Sequence, residues 1–190
     1  MSNTILTQEE GQLLLKIARD NISSYLNGDE YNPPKNLPKI FDEKLGVFVT
    51  LSLNSNLRGC IGYPEPYYSL IEGLLDVSIS AAFDDPRFNP LSLQEFENIQ
   101  LEISVLTKPQ LIDIEKYTEY LTLIEIGRDG LIIENSYHRG LLLPQVPVEQ
   151  NWDTLTYLEN LCYKAGLSSE SWKDENTKLY SFQAQIFEEK

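Results

Sequence analysis

The 190-residue sequence predicts a mixed α/β fold of the α+β kind. Segments in which apolar residues recur at helical spacing are interspersed with segments in which apolar and polar residues alternate, as they do in strands. The composition, with 42% hydrophobic and 23% charged residues, is ordinary for a soluble globular protein. A chain of this length can bury one full core, so we expect a single domain over residues 1–190.

The first predicted element is a helix that begins after Thr7 and continues to about Tyr25. Thr7 and Glu10 have the spacing of a capping box, which satisfies backbone N–H groups at a helix start. An Asn-Gly pair at 27–28 ends the helix, and a proline-rich connector follows at 33–38. The buried stripe of this helix is predicted to be Leu15, Ala18, Ile22 and Tyr25.

A hairpin of two strands is predicted next. Residues 47–53 alternate between apolar and polar, and the Asn-Ser-Asn run at 54–56 supplies turn chemistry. The returning strand carries the sequence LRGCIG at 57–62. We therefore place Cys60 on a hairpin, near a bulge or strand end where glycine is tolerated.

The second helix begins at another capping box, Ser69 with Glu72, and is predicted to reach about Phe83. The run DDPRFNP at 84–90 breaks it, because proline ends a helix and pushes the preceding residue towards extended geometry.

The later patterns predict seven further elements. The first four are a short helix capped by Ser92 and Glu95, a strand at 99–105, a helix at 114–121 and an Asp-Gly hairpin joining 123–126 to 131–133. The last three are an apolar segment at 140–144, a helix from Asp153 to Lys164 stopped by Gly166, and a final strand at 180–186.

The net charge of −14, from 15 Lys and Arg against 29 Asp and Glu, argues against nucleic-acid binding, which depends on cations that neutralise phosphates. The same charge would repel anionic membranes, and no stretch approaches the roughly 20 apolar residues that span a bilayer. The first residues contain no apolar run, so no signal peptide is predicted. Cys60 and Cys162 make no disulfide framework, and we expect a cytoplasmic protein with free thiols.

The LRGCIG stretch is the most informative feature for function. Arg58 could favour the thiolate form of Cys60, because a nearby opposite charge stabilises the ionised group. We expect Gly59 and Gly62 to allow positive φ and to leave room for a ligand against bare main chain. These features are typical of a reactive cysteine or a small-ligand site. The plainer alternative is that Cys60 is a small apolar strand residue.

The sequence predicts neither a metal site nor a bound cofactor. One histidine and two separated cysteines give no zinc-ligand spacing, and nothing marks Asp84 or Asp85 as holding a hard cation. The chain has no phosphate-cradling glycine loop and no dinucleotide fingerprint. His138 is the one possible histidine partner for a catalytic cysteine, although a lone histidine beside Arg139 in a loop is more often solvated.

Six blocks of the sequence carry a resemblance to a known family. They are LRGCIG, AAFDDPRF, LEISVLTKP, IGRDGLII, GLLLPQVPVEQNWD and YLENLCYKAGL. In this order, from about Val47 to Phe187, they resemble the AMME syndrome candidate gene 1 domain family. The resemblance implies a fold of two lobes: a larger one around a mostly antiparallel sheet flanked by helices, and a smaller helical one.

The resemblance also implies partners and a site. Members are associated in many microbes with a Memo-type protein and a radical-SAM protein, and LRGCIG is the presumed functional motif. No reaction is established for the family, and roles in translation or nucleic-acid processing are conjectures. This chain departs from the family pattern before Trp152, where Asn151 replaces the usual glycine. Asparagine tolerates positive φ, so we expect the turn to be kept.

The candidate site residues come from three of these blocks. Cys60 is the candidate nucleophile, and Glu149 is the candidate for proton transfer if it is buried near the thiol. The candidate ligand contacts are Arg58, Gly59, Gly62, Asp85, Arg87, Gln145 and Trp152. We expect Cys60, Asp85, Arg87 and Glu149 to converge on one concave surface.

Plainer alternatives apply to each charged candidate, and Gln145 and Glu149 could be cap or surface groups. Arg58 could form a structural pair with Asp84 or Asp85 instead of holding a ligand. The residues at 85–87 could form a rigid turn closed by an Asp–Arg pair. Cys162 lies at helical spacing with other apolar residues and is predicted to be core.

Two classes of function fit these observations. The first is a small-molecule-binding protein or enzyme in which Arg58 and Arg87 hold an anionic group of the ligand near Cys60. The second is a non-enzymatic adaptor or interaction module whose motif recognises another protein. The reactivity of the Cys60 thiol discriminates between them, because an inert thiol favours packing or adaptor use.

Overall fold

The computed structural model describes residues 5–189 of the chain. These residues form two compact units. Unit 1 is made of two stretches of the chain, one that ends at Leu106 and one that starts at Gln185. Unit 2 is the stretch between them, Thr107–Ala184. Each unit contains its own four-stranded antiparallel sheet. The last strand of the chain starts where the chain returns to unit 1 and belongs to the sheet of that unit.

Helices and pairs of strands follow one another along the described chain. The helices are α1 (Gln8–Asn27), α2 (Leu70–Ile79), α3 (Leu93–Phe96), α4 (Tyr120–Leu123), α5 (Gln145–Glu149) and α6 (Thr154–Lys164). The strands are β1 (Gly46–Leu53), β2 (Asn56–Tyr63), β3 (Ile99–Leu106), β4 (Gln110–Leu111), β5 (Gly130–Asn135), β6 (His138–Leu142), β7 (Lys178–Phe182) and β8 (Ala184–Glu188). A π-helical turn, Ser80–Asp84, extends α2, and 3-10 turns cover Lys39–Asp42, Tyr117–Glu119 and Ser171–Lys173.

The sheet of unit 1 has the strand order β2-β1-β3-β8, which leaves β2 at one edge. One face of β1 carries Val47, Val49 and Leu51, which are buried in the same apolar core as residues of α1 and α2. The two helices are joined by Asn21, whose Nδ2 donates to the Leu75 carbonyl at 2.8 Å. The alternation of β1 therefore gives the sheet one face that packs on helices and one face that is more polar.

Unit 2 has the strand order β4-β7-β5-β6 and a separate core around α6. Tyr157 lies at its centre and donates a hydrogen bond from its hydroxyl to the carbonyls of Asp129 and Leu142. Burial raises the pKa of this phenol well above its ordinary value. Cys162 is buried in the same core, as predicted. Unit 2 thus contains a four-stranded sheet as well as helices.

Predictions that rest on local capping chemistry are confirmed. Thr7, Ser69 and Ser92 each form a capping box with the glutamate three residues later. Asp153 caps α6, accepting a hydrogen bond from the Thr156 N–H at 2.8 Å. Asn151 has a φ of +53°, so asparagine does supply the positive φ expected of that turn.

Predictions that depend on distant pairing are corrected. No hairpin forms at Asp129-Gly130: residues 124–129 form a turn with Gly127 at φ +84°, and β5 instead pairs with β6 through a two-residue loop. The predicted helix at 114–121 is reduced to short helical turns, because the chain before it runs beside β7, where the Ile112 N–H donates to the Leu179 carbonyl.

Three smaller corrections concern element ends. The final strand is two strands in different sheets, separated at Gln183. The helix predicted to reach Phe83 changes into the π-helical turn after Ile79. Tyr25 is 56% exposed instead of buried, and its ring lies against that of Phe83 with centroids 4.5 Å apart.

Candidate functional site

The predicted hairpin and its bulge are both present. Asn54 and Ser55 have φ values of +51° and +63°, the backbone that two-residue turns of the I′ class require. Further along the strands, Ser52 is opposite Leu57 but Leu51 is opposite Gly59. Arg58 is thus the extra residue of a β-bulge in β2. The bulge lies two residues before Cys60, so of the two expected settings, a bulge or a strand end, the structure has the bulge.

The glycines beside Cys60 do not have the positive φ values that we expected. A Cβ at Gly59 would lie 2.1 Å from the carbonyl oxygen of Ala81 in the π-helical turn, and one at Gly62 would lie 2.3 Å from the ring of Phe48. The space beside both glycines is filled by the protein itself. Their physical role is to let the π-helical turn and an aromatic ring approach β2 closely.

An Asp–Arg pair holds the outer edge of β2 at Cys60. The Cys60 N–H donates to Asp85 Oδ2 at 2.9 Å, and Arg87 Nη2 donates to the Cys60 carbonyl at 3.1 Å. The pair therefore satisfies both backbone groups that a further strand would otherwise bind. We call this arrangement the Asp85–Arg87 clamp. It corresponds to the predicted rigid turn, with an additional attachment to β2, the strand that carries LRGCIG and is called the motif strand below.

The clamp is closed by several bonds between its own members. Arg87 Nε donates to Asp85 Oδ1 at 2.9 Å and Nη2 donates to Oδ2 at 2.7 Å, while the Arg87 N–H donates to Oδ1 at 3.1 Å. The Arg87 guanidinium, together with the N–H groups of Cys60 and Arg87, holds the pKa of the Asp85 carboxyl well below its usual range. Asp85 is 3% exposed, whereas the Arg87 side chain is 53% exposed. The charged face of the clamp that reaches solvent is thus the guanidinium.

The Cys60 sulfur lies on the polar face of the sheet. Cys60 is half-buried, and the Thr50 hydroxyl donates to its Sγ at 3.3 Å. Thr50 is opposite Cys60 on one side and opposite Glu102 on the other, so the three side chains form one row on the same face. Sequence analysis did not select Thr50 or Glu102. The polar positions in the alternation of β1 and β3 were the available signal, but the register that aligns them was not predictable.

Arg58 is held by contacts within unit 1, and its predicted role as a ligand contact stays a prediction. Its Nε and Nη2 donate to the two carboxylate oxygens of Glu95 at 2.8 and 3.1 Å, and Nη2 also donates to the Asn89 carbonyl at 2.9 Å. Neither predicted partner, Asp84 or Asp85, is used. Its guanidinium also lowers the pKa of Glu95 to about 2, with help from the Ser92 cap. Its Nη1 is buried and finds no acceptor among residues 5–189.

The third block of predicted site residues lies in unit 2. Glu149 is exposed at the end of α5, so the burial that its predicted role required is absent. Gln145 begins α5, and its Oε1 is buried without a donor in the described part of the chain. Trp152 is half-buried against the core of unit 2. The convergence of these residues with Cys60 stays a prediction.

Other candidate groups have ordinary surroundings. The His138 ring lies in unit 2, with Nδ1 3.0 Å from the Ala165 carbonyl oxygen. Within residues 5–189, no three or more His, Cys, Asp or Glu side chains are grouped so that they could hold a metal ion. None of the helices in that range has the length and apolar character needed to cross a bilayer.

The site is a half-buried thiol on an edge strand, held by an Asp–Arg clamp within a mixed α/β chain. The AMMECR1 family model matches residues 15–187, a range that includes the whole of this site. The chain belongs to the AMMECR1 family.

Similar proteins come from archaea. A protein of Methanococcus aeolicus is 51% identical over 186 residues, covering 97% of this chain and 93% of that protein. Protein MJ0810 of Methanocaldococcus jannaschii is 51% identical over 187 residues, with coverage of 97% and 92%. The crystal structure of uncharacterized protein PH0010 from Pyrococcus horikoshii has a TM-score of 0.86 and 47% identity, covering 98% of this chain and 94% of that one. This likeness confirms the mixed α/β fold.

Proposed function

We propose that this protein binds a small anionic molecule at the Cys60 site, with Arg87 as the anion contact and the Cys60 sulfur against the ligand. The observation that carries the proposal is the clamp. It binds the backbone of Cys60, whose thiol is half-buried, to Arg87, whose guanidinium is half-exposed. A cation and a thiol that are held together in this way can bind an anion and act on it.

The geometry of Arg87 supports its part in the proposal. Its Nε and Nη2 are committed to Asp85 and to the Cys60 carbonyl, and Nη1 takes part in none of these bonds. The guanidinium is therefore oriented by the protein while one of its NH₂ groups remains to bind an incoming carboxylate or phosphate. Asp85 acts as a positioning residue, because its carboxylate faces Arg87 and the strand instead of solvent.

The surroundings of Cys60 support its role as the reactive group. The Thr50 hydroxyl donates to the sulfur, and this contact holds the half-buried thiol on the polar face of the sheet. Cys162 offers a contrast within the same chain, since it is buried and burial raises the pKa of its thiol. Gly59 and Gly62 act in this proposal by making room for neighbouring protein groups, and Arg58 by fixing the bulge. Cooperation with Memo-type and radical-SAM proteins remains part of the proposal through the family resemblance.

A pair of alkylating reagents tests the site. The native protein is treated separately with neutral iodoacetamide and with anionic iodoacetate, and the labelled cysteine is identified by mass spectrometry of its peptides. We expect labelling of Cys60 and not of Cys162. We also expect Arg87→Gln to lower the ratio of the iodoacetate rate to the iodoacetamide rate at Cys60 by about threefold or more, because it removes the adjacent positive charge.

Arg128→Gln is the matched control. It removes an arginine of similar exposure from an Asp–Arg pair in unit 2 and changes the net charge by the same amount. The ratio should stay at the wild-type value in this variant. A Cys60 that is not alkylated in the folded protein, or an equal fall of the ratio in both variants, would refute the proposal. If the ratio falls in Arg87→Gln alone, mass spectrometry of small molecules that co-purify with the protein would name the ligand.

A further inference from the structure

A pocket of unit 1 lies at the end of β2, the strand that carries Cys60. It has a volume of about 270 Å³ and is lined by Tyr63, Tyr68, Glu72 and Asp76. Tyr63 is three residues after Cys60 in β2, with regular pairing to β1 between them, so the two side chains lie on opposite faces of the sheet. The pocket is thus separate from the thiol site.

Two aromatic rings form one side of this pocket. The Tyr63 and Tyr68 rings have centroids 5.0 Å apart and are tilted by 47°. Tyr63 is half-buried against the core, whereas Tyr68 is 49% exposed at the mouth. Aromatic faces carry partial negative charge and attract cations within about 6 Å of the ring centre. Two such rings at an angle provide two faces for one cationic group.

The other side of the pocket is formed by two carboxylates, each with a spare oxygen. Glu72 uses Oε2 to accept from the Ser69 N–H and hydroxyl at 3.1 and 2.7 Å. Asp76 uses Oδ2 to accept from the Tyr63 hydroxyl. The bonds found within residues 5–189 use neither Glu72 Oε1 nor Asp76 Oδ1. The polar groups of the pocket are therefore hydrogen-bond acceptors with negative charge.

The ionisation of these groups agrees with that description. The hydrogen bonds from Ser69, with a smaller effect of the Lys44 charge, lower the pKa of Glu72, so this group is a carboxylate at neutral pH. The hydrogen bond to Asp76 raises the pKa of Tyr63 to about 12, so the phenol stays neutral. An anionic ligand would be repelled here.

We propose that this pocket binds an organic cation, an alkylguanidinium or alkylammonium head whose charge lies against the Tyr63 and Tyr68 rings and the free oxygens of Glu72 and Asp76. The aliphatic stem of such a group passes out beside the exposed Tyr68 ring. Small cations of this kind include free amines and guanidines and the side chains of lysine and arginine in a polypeptide. The protein thereby has one site for an anion and one for a cation on the two faces of the same strand.

The test is an NMR titration with butylguanidinium, using butylurea as the neutral molecule of nearly the same shape. We expect butylguanidinium to shift the Tyr63 and Tyr68 ring signals with a dissociation constant in the millimolar range, and butylurea to bind about tenfold more weakly or not at all. Equal binding of the two molecules would overturn the proposal, since it would show an apolar groove without charge recognition. An absence of shifts with butylguanidinium would overturn it as well.

Matched variants locate the binding. Tyr68→Leu keeps apolar bulk but removes an aromatic face, and it should weaken butylguanidinium binding about tenfold. The control is Tyr67→Leu, because Tyr67 is an exposed neighbour, 66% accessible, that does not line the pocket. Glu72→Gln can still accept the Ser69 bonds and should reduce the salt dependence of binding. Equal weakening in the Tyr67 and Tyr68 variants would count against the site.

The source of the cation is distinguished by a second titration. Acetyl-Gly-Arg-Gly-amide carries the same guanidinium on a peptide backbone. If it binds about tenfold more tightly than butylguanidinium, the pocket recognises an arginine side chain of a polypeptide. If the two bind alike, it recognises a free small cation. Either result supports the cation site, and failure of both probes refutes it without affecting the alkylation test at Cys60.

Discussion

Two nearly buried aspartates, one in each unit, are bound by arginine in almost the same way. Asp85 is 3% exposed and Asp129 is 4% exposed. Each accepts two guanidinium bonds from an arginine within two residues, Arg87 for Asp85 and Arg128 for Asp129. Each also accepts a backbone N–H from another residue. From the local chemistry alone the two pairs are equivalent.

They differ in the residue whose backbone they bind. Asp129 accepts the N–H of Glu125, four residues earlier, so this pair closes a turn. Asp85 accepts the N–H of Cys60, 25 residues earlier, so the same chemistry attaches a loop to the edge of a sheet. The comparison teaches that a short Asp–Arg pattern indicates a rigid turn, whereas its use in a site depends on the strand that folding brings beside it.

The largest expected effect concerns the glycines next to the two aspartate sites. Gly59→Ala places a Cβ 2.1 Å from a backbone oxygen that can move only if β2 separates from the π-helical turn. We expect a loss of about 3 kcal/mol or more in the free energy of unfolding, measured by urea denaturation.

Gly130→Ala is the comparison, because Gly130 follows Asp129. Its Cβ would lie 2.3 Å from Cζ of Phe182, which is the far end of a side chain and can shift. We expect a smaller loss, of about 1 kcal/mol. If the two alanine variants lose equal stability, the close approach at Gly59 is not what holds the motif strand in place.

The next prediction breaks each clamp in turn. Asp85→Ala leaves the N–H groups of Cys60 and Arg87 without their acceptor, and we expect it to cost about 2–3 kcal/mol after allowing for the exposed guanidinium. Asp129→Ala leaves one such N–H and should cost about 1–2 kcal/mol. Both values are measured by denaturation at neutral pH.

The alkylation rate of Cys60 separates the two variants more sharply than stability does. Loss of Asp85 frees the edge of β2, so iodoacetamide should react with Cys60 about threefold faster. Loss of Asp129 should leave that rate unchanged, because its bonds lie within its own turn. A change of the same size in both variants would show that the clamp has no specific link to the thiol.

The smallest effect concerns a further distant ion pair, Arg58 with Glu95. Since folding lowers the pKa of Glu95 to about 2, its carboxylate stabilises the fold above the unfolded-state pKa of about 4.3, and this contribution is lost as the pH falls towards 2. The stability difference between wild type and Glu95→Gln should be constant above about pH 5 and shrink steadily as the pH falls to about 2 and below. Thermal denaturation across this range measures it.

Glu170→Gln provides the local counterpart. Glu170 pairs with Lys173 three residues away and its side chain is 62% exposed. We expect this substitution to change the stability by less than about 0.5 kcal/mol at every pH. A pH dependence as strong as that of Glu95→Gln would contradict the distinction between distant and local pairs.

The same distinction explains how much of the fold the sequence predicts. The capping boxes, the Asp153 cap and the turn at Asn54-Ser55 depend on residues within a few positions, and all were predictable. The Asp-Gly pair at 129–130 has the same sequence as a hairpin turn, yet the Asp129 side chain instead binds the backbone of the preceding turn. Local pattern alone cannot choose between these two uses of one aspartate.

The candidate site shows the same limit. That Cys60 lies beside a bulge, and that residues 85–87 form a closed turn, followed from composition and spacing. The pairing of Arg58 with Glu95, and the alignment of Thr50 with Cys60, depend on contacts between residues far apart in sequence or on the exact register of two strands. A shift of one residue in that register would have given a different row of side chains.

The bulge at Arg58 also determines to which face of the sheet each later side chain of β2 points. If the same residues paired without the bulge, Arg58 would lie opposite Leu51, Gly59 opposite Thr50 and Cys60 opposite Val49. The sulfur would then point into the apolar core and Ile61 would point out of it. The single extra residue in β2 therefore decides which face of the sheet carries the thiol, although it takes no part in pairing with β1 itself.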